Sequence, residues 1–260
     1  MAVIYKVFYK MSLPPVLLTS SVVAMDPTVA LKSQEDRIFY TIESIGKWAK
    51  ISPRNKFIIC DGSGFDFTPL VQERFPDLEV ECIFFMNDPV LIGKYGKGFG
   101  EGEIIRFALT HSQFLSASDW FVKCTAKLWV DNFFACLQEW NDQFLCRAFF
   151  ANVYSLAPTS LEYIDTRFYM ITKDFYLRNF SNIYVNLGLD DGSSIEGEFL
   201  DKIRELKLKH FLFRAVPIIS GVGGGSGKYY NTSFWRRMKE KLRSYLASKN
   251  LEFCDLFNRP

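Results

Sequence analysis

Histidine is nearly absent from this chain, which has only His111 and His210 among 260 residues. Its six cysteines (Cys60, Cys82, Cys124, Cys136, Cys146 and Cys254) form no C-x-x-C pair. A zinc centre, which needs paired thiols or imidazoles, is therefore not expected. Several cysteines sit in apolar runs such as Phe57-Ile-Ile-Cys60 and read as reduced, buried small hydrophobes of a reducing compartment. Net charge is also scarce. At +2, the chain lacks the basic surface that wholesale nucleic-acid binding requires, so no nucleic-acid partner is expected. No stretch reaches the roughly 18 uncharged apolar residues of a spanning helix. Near the start, Lys6, Lys10 and Pro14-Pro15 interrupt the apolar content. Neither a membrane span nor a signal peptide is expected. A cytoplasmic location follows, and the N-x-S/T matches at Asn179 and Asn231 read as chance.

What the chain does have is apolar bulk: 48% hydrophobic residues, including 26 Phe, enough for a sizeable core. Val16–Val23 is a short β-branched run and reads as a buried strand. A helix should follow from about Ser33, with Ile38, Ile42, Ile45 and Trp48 at helical spacing. Lys56–Cys60 reads as a second strand, Thr68–Arg74 as a helix and Leu78–Phe85 as a third strand. This alternation predicts an α/β fold, a Rossmann-like and mostly parallel sheet with helices on its faces and ligands beyond its carboxyl strand ends. Further strands are expected at Trp120–Val130, Asn141–Asn152, Arg167–Thr172 and Arg214–Ile219, and a helix from Ile195 to Leu206. Without repeats or a low-complexity linker, residues 1–260 read as one domain. Its nucleotide-binding half would span about 14–132, and an acceptor half with a C-terminal helix about 133–260.

Two glycine-rich segments stand out. Gly93-Lys-Tyr-Gly-Lys-Gly-Phe-Gly100 is read as a loop running into a helix near Glu101. Its free amides, the helix N-terminus and Lys94 and Lys97 would suit a diphosphate; a mobile loop with two solvated lysines is the plain alternative. The segment Ser220–Gly227 is read as a flexible loop. Neither fits a familiar nucleotide motif. G-x-G-x-x-G cannot be placed in the first. In the second, Val222 stands where a Walker A loop needs its first glycine, and Tyr229 where it needs Ser or Thr.

The run Tyr95-Gly-Lys-Gly-Phe-Gly-Glu101, then Phe121-Val-Lys-Cys-Thr-Ala-Lys127 and Val130-Asp-Asn132, resembles a pattern of bacterial and viral glycosyltransferases that build lipopolysaccharide, capsule and other surface glycans. That pattern reads "GKGxGE … FxKxTGR … N". Asp165-Thr-Arg-Phe-Tyr169, Pro217-x-x-x-Gly221 and Ser226-Gly227 are similar to further parts of it. Ala126-Lys127 departs from it, replacing Gly-Arg. A lysine keeps the charge but not the bidentate fork. The resemblance implies a GT-A-type fold with the donor nucleotide near the first strands, and transfer of a sugar from a nucleotide-sugar, such as a UDP-hexose, to a polysaccharide or lipid-linked acceptor. A non-catalytic nucleotide- or glycan-binding module is the alternative.

Such enzymes commonly hold a divalent metal with Asp-x-Asp. Here Asp190-Asp191 is adjacent and Asp61 and Asp66 are five apart, so no metal ligands are assigned. No cofactor is expected beyond the donor, with Lys94, Lys97 and Lys123 neutralising the leaving diphosphate. Candidate donor-binding residues are Thr19, Ser20, Arg37, Asp61, Gly62, Lys94, Lys97, Gly98, Glu101, Lys123 and Thr125. An inverting transfer needs a carboxylate base; Glu196, Glu198 and Asp191 are the candidates, with Glu101, Glu103 and Asp190 also available. Finally, residues 228–249 hold seven Lys/Arg against Glu240. A helix capped by Ser233 would put Trp235, Met238, Leu242, Tyr245 and Leu246 on one stripe among those bases. Such a helix can lie on anionic membrane lipid or be the solvated face of a packed helix.

Overall fold

In the computed structural model, residues 13–188, 194–230 and 233–259 are described. Five short segments begin the fold: β1 (Val16–Ser20), α1 (Gln34–Ile51), β2 (Phe57–Asp61), α2 (Thr68–Arg74) and β3 (Val80–Phe84). β1 and β2 are buried along their whole length and apolar up to the Thr19, Ser20 and Asp61 at their carboxyl ends, as central strands covered on both faces must be. The Ser33 hydroxyl caps α1 by accepting from the Asp36 amide. The helix lays Ile42, Ile45 and Trp48 on the sheet, and Trp48 donates to the Leu128 carbonyl at 3.0 Å. Burying each of these side chains contributes about 2–3 kcal/mol.

The chain continues through α3 (Pro89–His111), α4 (Gln113–Ser116), β4 (Trp120–Thr125), β5 (Leu128–Val130), α5 (Phe133–Leu137), β6 (Phe144–Ala151), β7 (Ser160–Thr172) and α6 (Lys173–Asn179). It ends with α7 (Ile195–Glu205), β8 (Ile219–Val222), β9 (Tyr229–Tyr230) and α8 (Phe234–Lys249). The main sheet has the order β3-β2-β1-β4-β7-β6. The first four strands are parallel and β7 runs antiparallel to both neighbours. This is a mixed, mostly parallel, Rossmann-like sheet. Strand alternation splits the core between its faces. Leu17, Ile58, Cys60 and Phe121 meet α3 and α7, while Val16, Leu18, Phe57, Ile59 and Val122 meet α1 and α2.

The structure corrects the sequence reading at four places. Residues 93–100 are helical, and α3 is broken only at Gly96 (φ 80°, ψ −179°), a conformation open essentially to glycine. The expected strand Trp120–Val130 is two strands. β4 ends at Thr125, and after Ala126-Lys127 β5 joins a second sheet of order β5-β8-β9. The expected strand Arg214–Ile219 is displaced into the glycine segment as β8. Gly221 permits this, because its φ of 109° and the adjacent Lys127 carbonyl leave no room for a side chain. Finally, the apolar stripe on α8 is not packed: Ala247 is the helix's one buried residue. Among the described residues, no helix is long and apolar enough to cross a membrane.

Candidate donor pocket at the strand ends

A cleft of about 710 Å³ opens at the carboxyl ends of β1 and β4, where parallel α/β sheets place ligands. Thr19, Ser20, Arg37, Lys97, Glu101 and Thr125 lie in its wall, so six of the sequence candidates converge there. Asp26, Lys127, Gly224 and Gly225 complete the part that carries charge or free backbone.

Three cations face this space. Lys127 is only 2% exposed yet has no hydrogen bond or ion pair among the described residues. Burial, reinforced by the nearby Arg37 charge, pushes its ammonium down to about 7. Arg37 is buried too. Its Nε donates to the Ser21 carbonyl at 2.6 Å and one Nη to the Leu31 carbonyl at 2.8 Å, so it also shapes the loop after β1. Lys97 is exposed at the rim, on the second half of α3. Its amide donates to Asp26 Oδ2 at 2.9 Å. Burial alone would raise the Asp26 carboxyl. Bonds from the Thr28 hydroxyl and amide and from the Lys97 amide outweigh that and hold it below the usual range. Asp26 thus caps the helix that restarts after Gly96.

The roof is the loop after β8. It is tied to the loop before α1 by Ala30 N donating to Gly225 O (3.0 Å) and Leu31 N to Gly224 O (3.4 Å). The Gly224 and Gly225 amides donate to nothing among the described residues. A Cβ on Gly224 would lie 3.0 Å from Lys127 Cε, and one on Gly225 2.7 Å from Lys97 Nζ. Two successive glycines with free amides, beside two lysines, are the kind of backbone from which anion-binding concavities are built. In the wall below, Ser20 Oγ is buried at 2% exposure with no partner. A buried hydroxyl without a partner is costly, and Ser20 is among the residues lining the pocket.

The other candidates lie elsewhere. Asp61 is fully buried. Its Oδ1 accepts from Ser63 N (2.8 Å), Ser63 Oγ (2.6 Å) and Phe65 N (3.2 Å), and its Oδ2 from Val22 N (3.0 Å). It organises the strand-end loops. A Cβ on Gly62 would collide with Asn87 and Ile104, so its glycine serves close packing. Lys94 is exposed, its Nζ 4.8 Å from the Tyr95 ring centre. Gly98 packs on Leu187 and Ile195. Lys123 is wholly buried on the face of β4 shared with Thr125. It is ion-paired with Glu101 and donates to the Thr166 carbonyl at 2.8 Å. Glu101 Oε1 takes that pair and the Thr19 hydroxyl (3.2 Å), while Oε2 has no partner among the described residues. On the first turn of α7, Glu196 lies 3.5 Å from Thr166 Oγ1 and Glu198 3.4 Å from Asn186 Nδ2. Neither lines the pocket. Glu103 is bonded to the Tyr184 hydroxyl and Arg106. Asp190 and Asp191 lie outside the described residues.

Gly224, Gly225 and Asp26 were not singled out in the sequence, and Lys127 appeared there only as a departure from a pattern. The available signal was a lysine inside the apolar run Ala126–Val130, which burial makes expensive unless it serves something. Among the described residues, the pocket wall offers few donors for a divalent metal. Its two carboxylates are Asp26, held by the Thr28 and Lys97 amides, and Glu101, ion-paired with Lys123 through Oε1, and three cations share its wall. Among the described residues no cluster of three or more His, Cys, Asp or Glu could hold an ion.

No protein-family model matches the chain, and no curated protein does. Solved structures give loose likenesses. One is a protein described as a nucleotide-diphospho-sugar transferase from Desulfovibrio desulfuricans G20, at 10% identity over 78% of this chain and 80% of that chain (TM-score 0.46). Another is the galactosyltransferase LgtC with donor and acceptor sugar analogues, at 8% identity over 73% and 70% (TM-score 0.44). A third is 4-diphosphocytidyl-2C-methyl-D-erythritol synthase from Anaerococcus prevotii, at 7% identity over 88% and 97% (TM-score 0.43). At these scores, the functional case is carried by this chain's own residues.

Proposed function

We propose that the chain is a glycosyltransferase that takes a nucleotide-sugar in the pocket at the ends of β1 and β4 and passes the sugar to a glycan or lipid-linked acceptor. The carrying observation is Lys127, a buried cation without an anion, beside Arg37, Lys97, the free Gly224 and Gly225 amides and the orphan Ser20 hydroxyl. Together they gather positive charge and donors along the wall of one cleft, which is what a leaving diphosphate needs as negative charge develops on it. Neutralisation by these side chains makes the transfer independent of a divalent metal. Glu101 fits the role of base in an inverting transfer: Lys123 and Thr19 orient it through Oε1, and its free Oε2 can take the acceptor hydroxyl proton. Glu196 and Glu198 are less well placed, being outside the pocket wall.

The test is a thermal-shift screen with UDP-, GDP-, CMP- and dTDP-sugars, a UDP-hexose being expected to bind. At a thousandfold excess over Kd, ligand stabilises by about 4 kcal/mol. The rise should survive EDTA. A flat screen overturns the proposal, and binding abolished by EDTA and restored by Mn²⁺ overturns its metal-free form.

The acceptor side is proposed to work at an anionic membrane surface through α8. This helix exposes Phe234 (69%) and Trp235 (80%), with Met238, Leu242 and Tyr245, between Arg236, Lys239, Lys241 and Lys249. Aromatic and aliphatic side chains flanked by bases suit the headgroup boundary. Co-sedimentation with anionic but not neutral vesicles, lost in Trp235→Glu, is the expected result.

A further inference from the structure

We propose that a second cleft, between β6, β7 and α8, binds an anion-bearing sugar unit of the acceptor, one that carries a phosphate or a carboxylate. This rests on the donor-pocket reading for its catalytic meaning, although the binding itself can be measured without it. The cleft, open to solvent, offers about 660 Å³ of space and lies across the β8–β9 hairpin from the donor pocket. The two are joined by Tyr230, which lines the cleft and whose hydroxyl lies 3.1 Å from Ser226 Oγ in the donor-pocket roof.

Charge in the cleft is unbalanced. Arg167 forks onto buried Asp165 at 2.6 and 2.7 Å. Glu240 is shared between Arg147 (2.7 Å) and Arg243 (3.3 Å), and Arg243 Nε remains buried without a partner. Arg236 and Lys241, five residues apart on α8, also line the cleft and have no acidic partner among the described residues. Arg237 also lines the cleft and pairs with Asp131 at 3.7 Å, so six cations in and around it share three carboxylates, an arrangement that a bound anion would balance. Between the charges, the lining is apolar and aromatic. Phe149 and Tyr230 hold the Arg147 and Arg167 guanidinium planes (4.5 and 4.9 Å), beside Pro217. Apolar and aromatic surface packs the C–H face of a sugar ring, while guanidinium forks take its anionic group.

The experiment titrates the protein with glucose 6-phosphate, glucuronate, glucose and inorganic phosphate by calorimetry, in parallel with UDP. Saturable binding of glucose 6-phosphate or glucuronate, tighter than that of glucose and of phosphate, is expected. R236E/K241E changes two exposed side chains and should weaken it at least about tenfold, two charge-assisted contacts being lost. UDP binding should be unchanged in that variant. Lys127→Gln should give the reverse pattern, losing UDP and keeping the anionic sugar. Anionic-sugar binding that is lost in Lys127→Gln and retained in R236E/K241E would put the ligand in the donor pocket and overturn the proposal. So would equal affinity for glucose and glucose 6-phosphate, for inorganic phosphate and glucose 6-phosphate, or a variant defective only towards vesicles. Failure of UDP alone to bind would overturn the donor-pocket reading and leave this one standing.

Discussion

The segments 93–100 and 220–227 carry four and five glycines, and each is flanked by or contains a lysine. In the first, glycine makes room for other side chains. Ile195 and Leu187 lie against Gly98, Ile92 and Asn87 against Gly100, and just beyond, the Tyr184 ring occupies the space where a Gly102 side chain would be. The backbone amides there are consumed by the helix and by Asp26. In the second, glycine keeps side chains away from a cavity. Gly224 and Gly225 leave little room for a side chain beside Lys127 and Lys97, and their amides have no partner among the described residues. The difference teaches that glycine density reports a need for close approach, while the approaching partner, a tyrosine ring or a ligand, is decided by what the fold brings near.

Substitutions can break that comparison. Gly102→Ala drives a methyl into Tyr184 with backbone on one side and a packed ring on the other. It should cost about 3 kcal/mol and lower the unfolding midpoint by roughly 6–10 °C, read by calorimetry. An unchanged midpoint would deny the packing role. Lys127→Gln should weaken UDP about 30-fold, the worth of roughly 2 kcal/mol for a charge-assisted contact. Its thermal stability should not fall at neutral pH, since a buried, unpaired cation is removed.

The same lysine predicts a pH signature. Its folded value, about 7, lies below the unfolded 10.5. Between these the unfolded chain holds the extra proton, so this residue makes the fold more stable as pH rises through that window. Ligand binding runs the other way, because a diphosphate favours the protonated form. UDP affinity should fall by up to about tenfold per unit from pH 7 to pH 9. Calorimetry in buffers of different ionisation enthalpy should show proton uptake on binding, absent in Lys127→Gln. The smallest effects sharpen the contrast most directly. Gly93→Ala meets nothing within 4 Å and should stabilise α3 by up to about 1 kcal/mol with UDP affinity unmoved. Gly225→Ala presses only on the flexible end of Lys97, so it should leave stability within about 0.5 kcal/mol and weaken UDP several-fold.

Much of the scaffold was legible before any coordinates. The helix start near Ser33, the Ile38–Trp48 spacing, the apolar runs of β1 and β2 and the Thr68–Arg74 helix all express local rules of sequence periodicity. Six wall residues of the pocket were legible as well, because parallel strands place their carboxyl ends at ligands. Lys123 was legible as a charge on β4 but not as the buried partner of Glu101, which lies 22 residues away. The α8 stripe illustrates the same boundary: periodicity marks an apolar face without saying whether anything covers it.

The sequence by itself determined the alternation of strand and helix, the mostly parallel sheet and the end of that sheet where the cleft opens, since hydrophobic period, caps and strand direction are local or nearly local properties. Only the tertiary structure decided which glycines pack and which line a cavity, and that Lys127 stands buried and unpartnered beneath a loop from nearly a hundred residues later. Those facts depend on long-range approach, and burial and charge compensation exist only once distant segments share one space.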